Sequence, residues 1–235
     1  MSPFSKFFWT SITLLSFATI WTINSVFVEG NYHLLWWTLF VVYFLGGVES
    51  VYYHRFLAHK SWECPKWLEY IFLTIATGFH FLPAMFWAGG HRKHHTKNDG
   101  IGDIQGPTVS LKDNLLLVIG GRDIELQWMR DMVTNPLLVF QSTYYWYLMG
   151  AFAVVWSLIF GFDSYMIILV LQRISMLTFI YVSHIGGARD NHWVSMLLLN
   201  SEYLHERHHD KAYSADFGGN DLWYHGIIKH FPHKT

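Results

Sequence analysis

Eight of the 15 histidines in this 235-residue chain fall into three short clusters whose spacing suits metal binding. Two clusters have the pattern HxxHH, in which positions i, i+3 and i+4 share one face of a helix and direct three imidazoles toward a single point. The third has the pattern HxxxxH, whose histidines are about 140° apart on a continuous α-helix and converge only if the helix ends between them. The clusters are His54 and His59, then His91, His94 and His95, and finally His205, His208 and His209.

The number of histidines predicts a dinuclear metal site. A single zinc ion takes three or four protein ligands, so eight or nine imidazoles exceed what one ion needs and suit two. Imidazole binds iron, zinc, copper and nickel, and ligand type alone does not choose among them. Because neutral imidazoles leave the charge of two divalent ions uncompensated, we expect nearby carboxylates to accept hydrogen bonds from the ring N–H groups. The carboxylates near the clusters are Glu49, Asp99, Asp103, Glu202, Glu206 and Asp210.

The remaining histidines are interpreted as solvated or structural side chains, with one exception. His184 stands at the end of an apolar run and could join the clusters as a ninth ligand. Solvated side chains at a membrane surface are also the alternative for the clusters themselves, but three clusters with ligand spacing favour metal binding. The histidines without an assigned role are His33, His80, His192, His225, His230 and His233.

The composition is typical of an integral membrane protein. Hydrophobic residues make up 52% of the chain and charged residues 14%, whereas a soluble domain carries about 25% charged residues. Lys and Arg total 16 against 17 for Asp and Glu, so no basic surface indicates nucleic-acid binding. The single cysteine, Cys64, excludes an intramolecular disulfide and a cysteine-based metal cluster. Since no repeat or linker marks a boundary, residues 1–235 are predicted to form one domain.

Four apolar runs are long enough to cross a bilayer, which needs about 20 helical residues. They cover approximately residues 7–28, 32–53, 136–160 and 164–184. A further run, 70–90, contains Pro83, and proline interrupts helical hydrogen bonding. We therefore predict an all-α integral membrane fold, in which four transmembrane helices carry a cytoplasmic helical cap that holds the dinuclear metal site.

Basic residues indicate that run 70–90 does not cross the membrane. If only the other four runs cross, the two loops on the far side contain no Lys or Arg, in agreement with the positive-inside rule. If run 70–90 also crosses, basic residues fall on both sides. We expect this run to be re-entrant or to lie against the membrane face, which leaves the three clusters and His184 together on the cytoplasmic side.

The clusters and their flanks resemble the membrane-bound fatty acid desaturases, and in particular the acyl-lipid and acyl-CoA delta-9 type. His54-Arg-Phe-Leu-Ala-His59 and His91-Arg-Lys-His94-His95 are similar to the first two histidine boxes of that family in order and spacing. His205-Glu-Arg-His208-His209, with Tyr213-Ser214 after it, is similar to the third box. The likeness extends from about residue 41 to residue 217.

The resemblance implies a four-span bundle with two iron ions (Fe2+), molecular oxygen as co-substrate and an external electron donor. It also implies that the eight box histidines are the catalytic metal ligands and that His184 matches the family's extra histidine ahead of the third box. The implied reaction inserts a cis double bond, at the delta-9 position, into a fatty acyl chain carried by lipid, CoA or a carrier protein. Since no cytochrome b5-like module is fused to the chain, we expect a separate donor, either ferredoxin or cytochrome b5.

Two positions depart from the pattern of that family. The segment 96–107 lacks its Asp-Pro-His and offers Asp103 instead, so contacts to the substrate headgroup are expected to differ. Ile180 stands where the family usually has Asn, so a water molecule held there in relatives is expected to be absent.

Three other classes of protein also cluster histidines at a membrane. A diiron hydroxylase or ketolase uses similar boxes and differs in whether a hydroxyl group is returned before the second hydrogen leaves; the delta-9-like flanks favour desaturation. A metal transporter would carry ionisable residues through several spans, whereas here the histidines cluster at one membrane face. A dizinc hydrolase would be distinguished by its metal content and by its independence of oxygen.

Overall fold

The structure is a computed structural model that describes residues 3–79, 82–98, 100–106, 108–120, 122–184, 202, 204–219 and 221–235. Three residues of the sequence predictions, His80, Asp99 and His192, lie outside these ranges. Within them the chain is helical and contains no β-strand, so the predicted all-α class is confirmed for this part of the chain.

In the described ranges the chain begins with the helices α1 (Pro3–Ile23), α2 (His33–Val48), α3 (Lys66–Gly78), α4 (Ala84–Lys97) and α5 (Leu111–Val118). They are followed by α6 (Pro136–Thr143), α7 (Tyr145–Phe160), α8 (Phe162–Val182), α9 (His205–Asp210) and α10 (Leu222–Gly226). Two π-helical segments, Asn24–Val28 and Glu49–Ala58, directly continue α1 and α2, and short 3-10 turns occur at Leu126–Trp128 and Ile228–His230.

Three of the helical stretches are long and apolar enough to cross a membrane. They are Ser5–Val28, His33–Ala58 and Phe162–Ile180, with 24, 26 and 19 residues. Helices α6 and α7 together would also reach across, but they are bent by 75° relative to one another. The described residues therefore offer three spans, or four if the bent pair counts as one.

The bend is where the structure differs from the predicted continuous helix over 136–160. Helix α6 ends before Tyr144, although neither proline nor glycine occurs near the break. Gln141, buried on α6, donates its Nε2 hydrogen to Thr77 Oγ1 at 2.9 Å and accepts a hydrogen bond from the backbone N–H of Ala84 at 3.2 Å. These contacts tie α6 to α3 and α4, while α7 packs against α8. Tertiary contacts on two sides thus produce a bend that no local residue signals.

Run 70–90 is divided between two helices. Helix α3 ends at Gly78 and α4 begins at Ala84, directly after Pro83, whose ring is tolerated at a helix start but not in its interior. The two helices contain 13 and 14 residues, and each is shorter than the roughly 20 residues that cross a bilayer. The re-entrant or interfacial position of this run stays a prediction.

Helix α8 forms the centre of the bundle and packs against α1, α2 and α7. Its residues Ile167, Ile168 and Leu169 are fully buried. Helix α7 instead exposes large apolar side chains, and Tyr147 and Leu158 are 80% and 82% exposed. A long apolar helix with such a face is stable against lipid rather than water. The π-helical end of α2 packs against α4.

Candidate metal centre

A π-helix lets His54 and His59 converge. The last ten helical residues after α2, Glu49–Ala58, are π-helical, and the N–H of His59 donates to the carbonyl of His54 at 3.1 Å. In a π-helix the hydrogen bond joins residues five apart, so these two positions lie nearly above one another. The helix does end between them, at Ala58, as the sequence predicts, but the widened helix is a second cause that the spacing alone does not reveal.

The histidines form two separate groups, each with its ligand nitrogens within 4.8 Å of one another. In the first group the Nε2 atoms form a chain of short contacts: His54 to His208 at 2.9 Å, and His208 to His95 at 2.9 Å. His91 continues this chain to His95 at 2.9 Å and to His59 at 3.0 Å. The first group consists of His54, His59, His91, His95 and His208.

The second group contains His184 and three box histidines. His205 Nε2 lies 2.8 Å from His184 Nε2 and 3.1 Å from His209 Nε2, and His94 Nε2 lies 3.4 Å from His209 Nε2. His184 is fully buried two residues after the end of α8. All nine histidines that the sequence singles out are therefore brought together, although the ion that each binds stays a prediction.

The expectation that each HxxHH cluster converges on a single point is wrong. On α4, His91 and His95 belong to the first group while His94 belongs to the second, and on α9 only His208 belongs to the first group. Consecutive residues of an α-helix differ by about 100°, so positions i+3 and i+4 diverge enough to face two centres. Each helix therefore lies between the groups and contributes to both, which fixes the groups side by side.

Two carboxylates accept hydrogen bonds from histidine rings of the two groups. Glu202 accepts a hydrogen bond from Nδ1 of His54 at 2.9 Å and another from the Ser50 hydroxyl. Asp103 accepts a hydrogen bond from Nδ1 of His94 at 2.8 Å. A neutral imidazole carries only one N–H, so Nε2 of both histidines presents a lone pair to the neighbouring rings. Facing lone pairs repel unless a cation lies between them, and the residues present therefore fit bound metal ions.

The nitrogen separations also fit metal coordination. Two nitrogens bound at 2.0–2.1 Å and at right angles around one ion are about 3 Å apart. The contacts named for the first group and the contact between His184 and His205 lie between 2.8 and 3.0 Å. Nine imidazoles in two groups of five and four thus match two ions with room for a further ligand.

Burial keeps the histidines in the form that binds metal. Burial, together with the repulsion between neighbouring histidines, lowers the pKa of six of them below its ordinary value: His59, His91, His95, His205, His208 and His209. Burial raises the pKa of Glu202, but the hydrogen bonds that it accepts from His54 and Ser50, together with the charge of Arg55, outweigh burial and hold that pKa below its ordinary value. Neutral imidazoles backed by an ionised carboxylate are the state that ligates a divalent ion.

The other candidate residues are mostly exposed. Glu206 and Asp210 are exposed on α9, unlike the buried carboxylates Glu202 and Asp103. His33, His225 and His230 are also exposed, and Nε2 of His233 is 3.0 Å from the Tyr224 hydroxyl. These positions agree with the solvated or structural role expected of the four histidines.

An apolar cavity of about 610 Å³ borders the first histidine group. Its wall includes His54, His91 and Trp87, and the Trp87 ring stacks on the His91 ring at 5.2 Å. The volume is in the range of small-molecule binding sites, about 300–1,000 Å³. Most of the lining is apolar and comes from α4, α5 and α8 and from the residues that flank them: Leu82, Phe86, Leu117, Val118, Ile124, Met176, Phe179 and Ile180.

No protein-family model matches this chain, but curated proteins do. It is 26% identical to the Delta-9 acyl-lipid desaturase 2 of Arabidopsis thaliana, over 89% of this chain and 76% of that protein. It is 30% identical to the sn-2 palmitoyl-lipid 9-desaturase of Nostoc sp. (strain 36), over 71% of this chain and 65% of that protein. It is 28% identical to the Acyl-CoA C20 Delta5-desaturase of Anemone leveillei, over 77% of this chain and 65% of that protein.

The chain is similar over most of its length to acyl-lipid and acyl-CoA desaturases. The resemblance seen in the histidine boxes is thereby confirmed, and it extends over most of the chain. The chain spans less than two thirds of the length of two of these relatives, the proteins from Nostoc and Anemone. The names of these desaturases differ both in the double-bond position, 9 or 5, and in the acyl carrier, lipid or CoA.

Around the two histidine groups lie three residues that sequence reasoning missed. Arg55 forms an ion pair with Asp221 at 2.6 Å, with both side chains fully buried, and the Phe217 ring packs on His208 at 4.6 Å between ring centroids. A weak signal is present for Asp221, since an Asp that precedes a short helix is a typical N-cap, and its Oδ1 accepts the N–H of Tyr224. Nothing in the local sequence indicates its contact with Arg55.

Proposed function

We propose that the chain is an oxygen-dependent fatty acyl desaturase that uses two iron ions to insert a cis double bond into an acyl chain. The observation that carries this proposal is a pair of adjacent histidine groups, the first of which borders an apolar cavity, in a chain similar to desaturases. Relatives named as 9-desaturases support delta-9 as the position of the double bond.

The nine histidines are the proposed metal ligands, with His54, His59, His91, His95 and His208 around one ion and His94, His184, His205 and His209 around the other. When bound, two ferrous ions supply the redox chemistry by which oxygen is reduced and carbon–hydrogen bonds are oxidised. The overall reaction consumes oxygen, two electrons and two protons, and it converts two adjacent methylenes into an alkene with release of two water molecules.

The protein's own contribution is to position the acyl chain of the substrate. Apolar cavity walls bind an acyl chain through its buried surface and exclude water from the reacting carbons. Because His54 and His91 line the cavity, only methylenes held beside these two residues reach the metal centre. Fixed position then converts a general oxidising power into attack at one pair of carbons. Hydrogen bonds to Glu202 and Asp103 fix the orientation of the His54 and His94 rings, so these ligands do not have to reorganise during the reaction.

We also propose four membrane spans, with the bent pair α6 and α7 as the third, and a cytoplasmic cap that includes α3, α4 and α9. The meeting of all three histidine clusters supports this topology, since it requires run 70–90 to leave His54 and His91 on the same side. The segregation of Lys and Arg supports a cytoplasmic position for that side. The acyl group is carried by lipid, CoA or a carrier protein, and electrons come from ferredoxin or cytochrome b5.

One residue favours a second candidate function, hydroxylation. Glu49 lines the cavity five residues before His54 in the same π-helical segment, so it lies on the same face and close to the first histidine group. A carboxylate there is able to accept a hydrogen bond from a hydroxyl group on the acyl chain. A product that keeps its hydroxyl group would be held by this contact, whereas an alkene would not.

Expression in a desaturase-deficient host tests the proposal. We expect extracted fatty acids, analysed by mass spectrometry, to contain a new monounsaturated acid that appears only when the culture is aerated. The His95→Ala variant should give none, and the exposed His225→Ala variant should give as much as the natural sequence. A hydroxy acid or a ketone in its place would assign the chain to the second candidate, and an oxygen-independent product would overturn both.

A further inference from the structure

The residues after the third histidine cluster contact the proposed metal centre. We call residues 214–219 and 221–235 the C-terminal segment. Its end is bound to the loop that follows the first cluster, because the N–H of Lys234 donates to Ser61 O and the N–H of Glu63 donates to Pro232 O, both at 2.8 Å. The segment is therefore anchored beside the π-helix that carries His54.

A buried ion pair joins the segment to this π-helix. Arg55 directly follows His54, and its Nη2 lies 2.6 Å from Asp221 Oδ2 with neither side chain exposed to solvent. The guanidinium carbon also lies 3.8 Å from the centre of the Phe217 ring. A buried guanidinium is stable only with such partners, so Arg55 fixes both Asp221 and Phe217.

Phe217 also contacts the first histidine group. Its ring centroid lies 4.6 Å from that of His208 and 5.6 Å from that of His54. These two histidines are the pair whose Nε2 atoms are 2.9 Å apart. The Phe217 ring thus contacts both the Arg55 guanidinium and two imidazoles of the first group.

A tight helix contact fixes the remainder of the segment. The indole of Trp223 occupies the space above Gly47, where an added Cβ would lie 1.7 Å from a ring carbon. Only glycine allows this approach of α10 to α2. The segment therefore contacts the span through Trp223, in addition to its contacts with Arg55 and with the loop after the first cluster.

We propose that Arg55, Asp221 and Phe217 are positioning residues for the first metal site. The ion pair holds Phe217 against His54 and His208 and thereby fixes the orientation of these two imidazoles. Glu202 already holds His54 through Nδ1, so the Phe217 contact matters most for His208. The second group has its own support, through the hydrogen bond from His94 to Asp103. This proposal rests on the proposed diiron function, and it predicts a defect confined to one of two sites.

Metal retention by the iron-loaded full chain tests the proposal. The protein in detergent is equilibrated with increasing ferrozine, a ferrous chelator, and the iron that remains bound is counted. We expect Asp221→Asn and Phe217→Leu each to weaken one of the two irons by about 10- to 100-fold, the usual effect of losing a group that orients a metal ligand. The matched control is Leu222→Ala, beside Asp221 but 65% exposed, which should retain both irons as the natural sequence does.

The His184→Ala background identifies which site is affected. His184 belongs to the second group, so the iron that this variant keeps is the one in the first group. Adding Phe217→Leu to it should weaken that remaining iron by the same factor. Phe217→Leu leaves the ion pair between Arg55 and Asp221 intact. This variant therefore still tests the proposal if Asp221→Asn does not fold.

Three results would overturn the proposal. They are wild-type iron retention in Phe217→Leu, equal weakening of both irons, and weakening only of the iron that His184→Ala already loses. Failure of the natural sequence to bind two irons would instead contradict the proposed function, so the two hypotheses fail by different observations.

Discussion

Replacing His184 by alanine should remove one of the two irons and reduce product formation more than about 100-fold. His184 is fully buried, and its Nε2 lies 2.8 Å from Nε2 of His205, with the His94 ring 4.6 Å away. The second group has only four histidines, so this loss leaves three. Loss of a direct ligand should exceed the about 10- to 100-fold effect of losing a group that merely orients one.

The measurement is iron per chain together with the yield of oxygen-dependent product. His225→Ala is the matched control, because its side chain is an exposed histidine that belongs to neither group. We expect it to keep both irons and full activity. Two irons and normal yield in His184→Ala would remove His184 from the ligands and return the site to eight histidines.

Asp103 is the second residue whose replacement should have severe consequences. Its Oδ2 accepts from His94, and its Oδ1 accepts the backbone N–H groups of Ile104 at 2.6 Å and Gln105 at 3.2 Å. Asp103→Ala would leave these buried donors without that acceptor, and each unsatisfied donor costs about 1–3 kcal/mol of stability. The free energy of unfolding should fall accordingly, and the second metal site should lose its oriented ligand.

Asp103→Asn separates metal binding from folding. The amide oxygen is able to replace Oδ1 toward the backbone, but the amide nitrogen is a donor and does not accept the Nδ1 hydrogen of His94. We expect near-normal thermal unfolding of the iron-free protein and about 10- to 100-fold weaker retention of one iron. Asp210→Asn, on an exposed side chain next to His209, is the control for the loss of a charge. Weakening in this control as large as in Asp103→Asn would contradict the hydrogen-bond explanation.

Much of the candidate site could be predicted because the patterns that indicate it lie within short stretches of the sequence. The spacing in the two HxxHH clusters and the apolar runs indicate helices and metal ligation. Glu202 and Asp103 are among the six carboxylates that lie near the clusters in sequence, and the structure brings these two to histidine rings. His184 stands out by its position at the end of a predicted span.

What could not be predicted depends on tertiary contacts. The division of each HxxHH cluster between two groups follows from the position of α4 and α9 between them, which spacing does not reveal. The bend before Tyr144 follows from the bonds of Gln141 to Thr77 and Ala84. The pairing of Arg55 with Asp221 joins residues that are far apart in the sequence, and no local pattern around either residue points to it.

The metal content of the purified protein is the decisive measurement for a dinuclear iron centre. Protein produced in iron-rich medium should contain close to two iron ions per chain, because nine buried or half-buried imidazoles in groups of five and four suit two ions. Removal of the iron by a chelator should abolish oxygen-dependent formation of the monounsaturated product, and ferrous iron should restore it. A single tightly bound zinc ion per chain, with activity that needs no oxygen, would contradict a diiron desaturase.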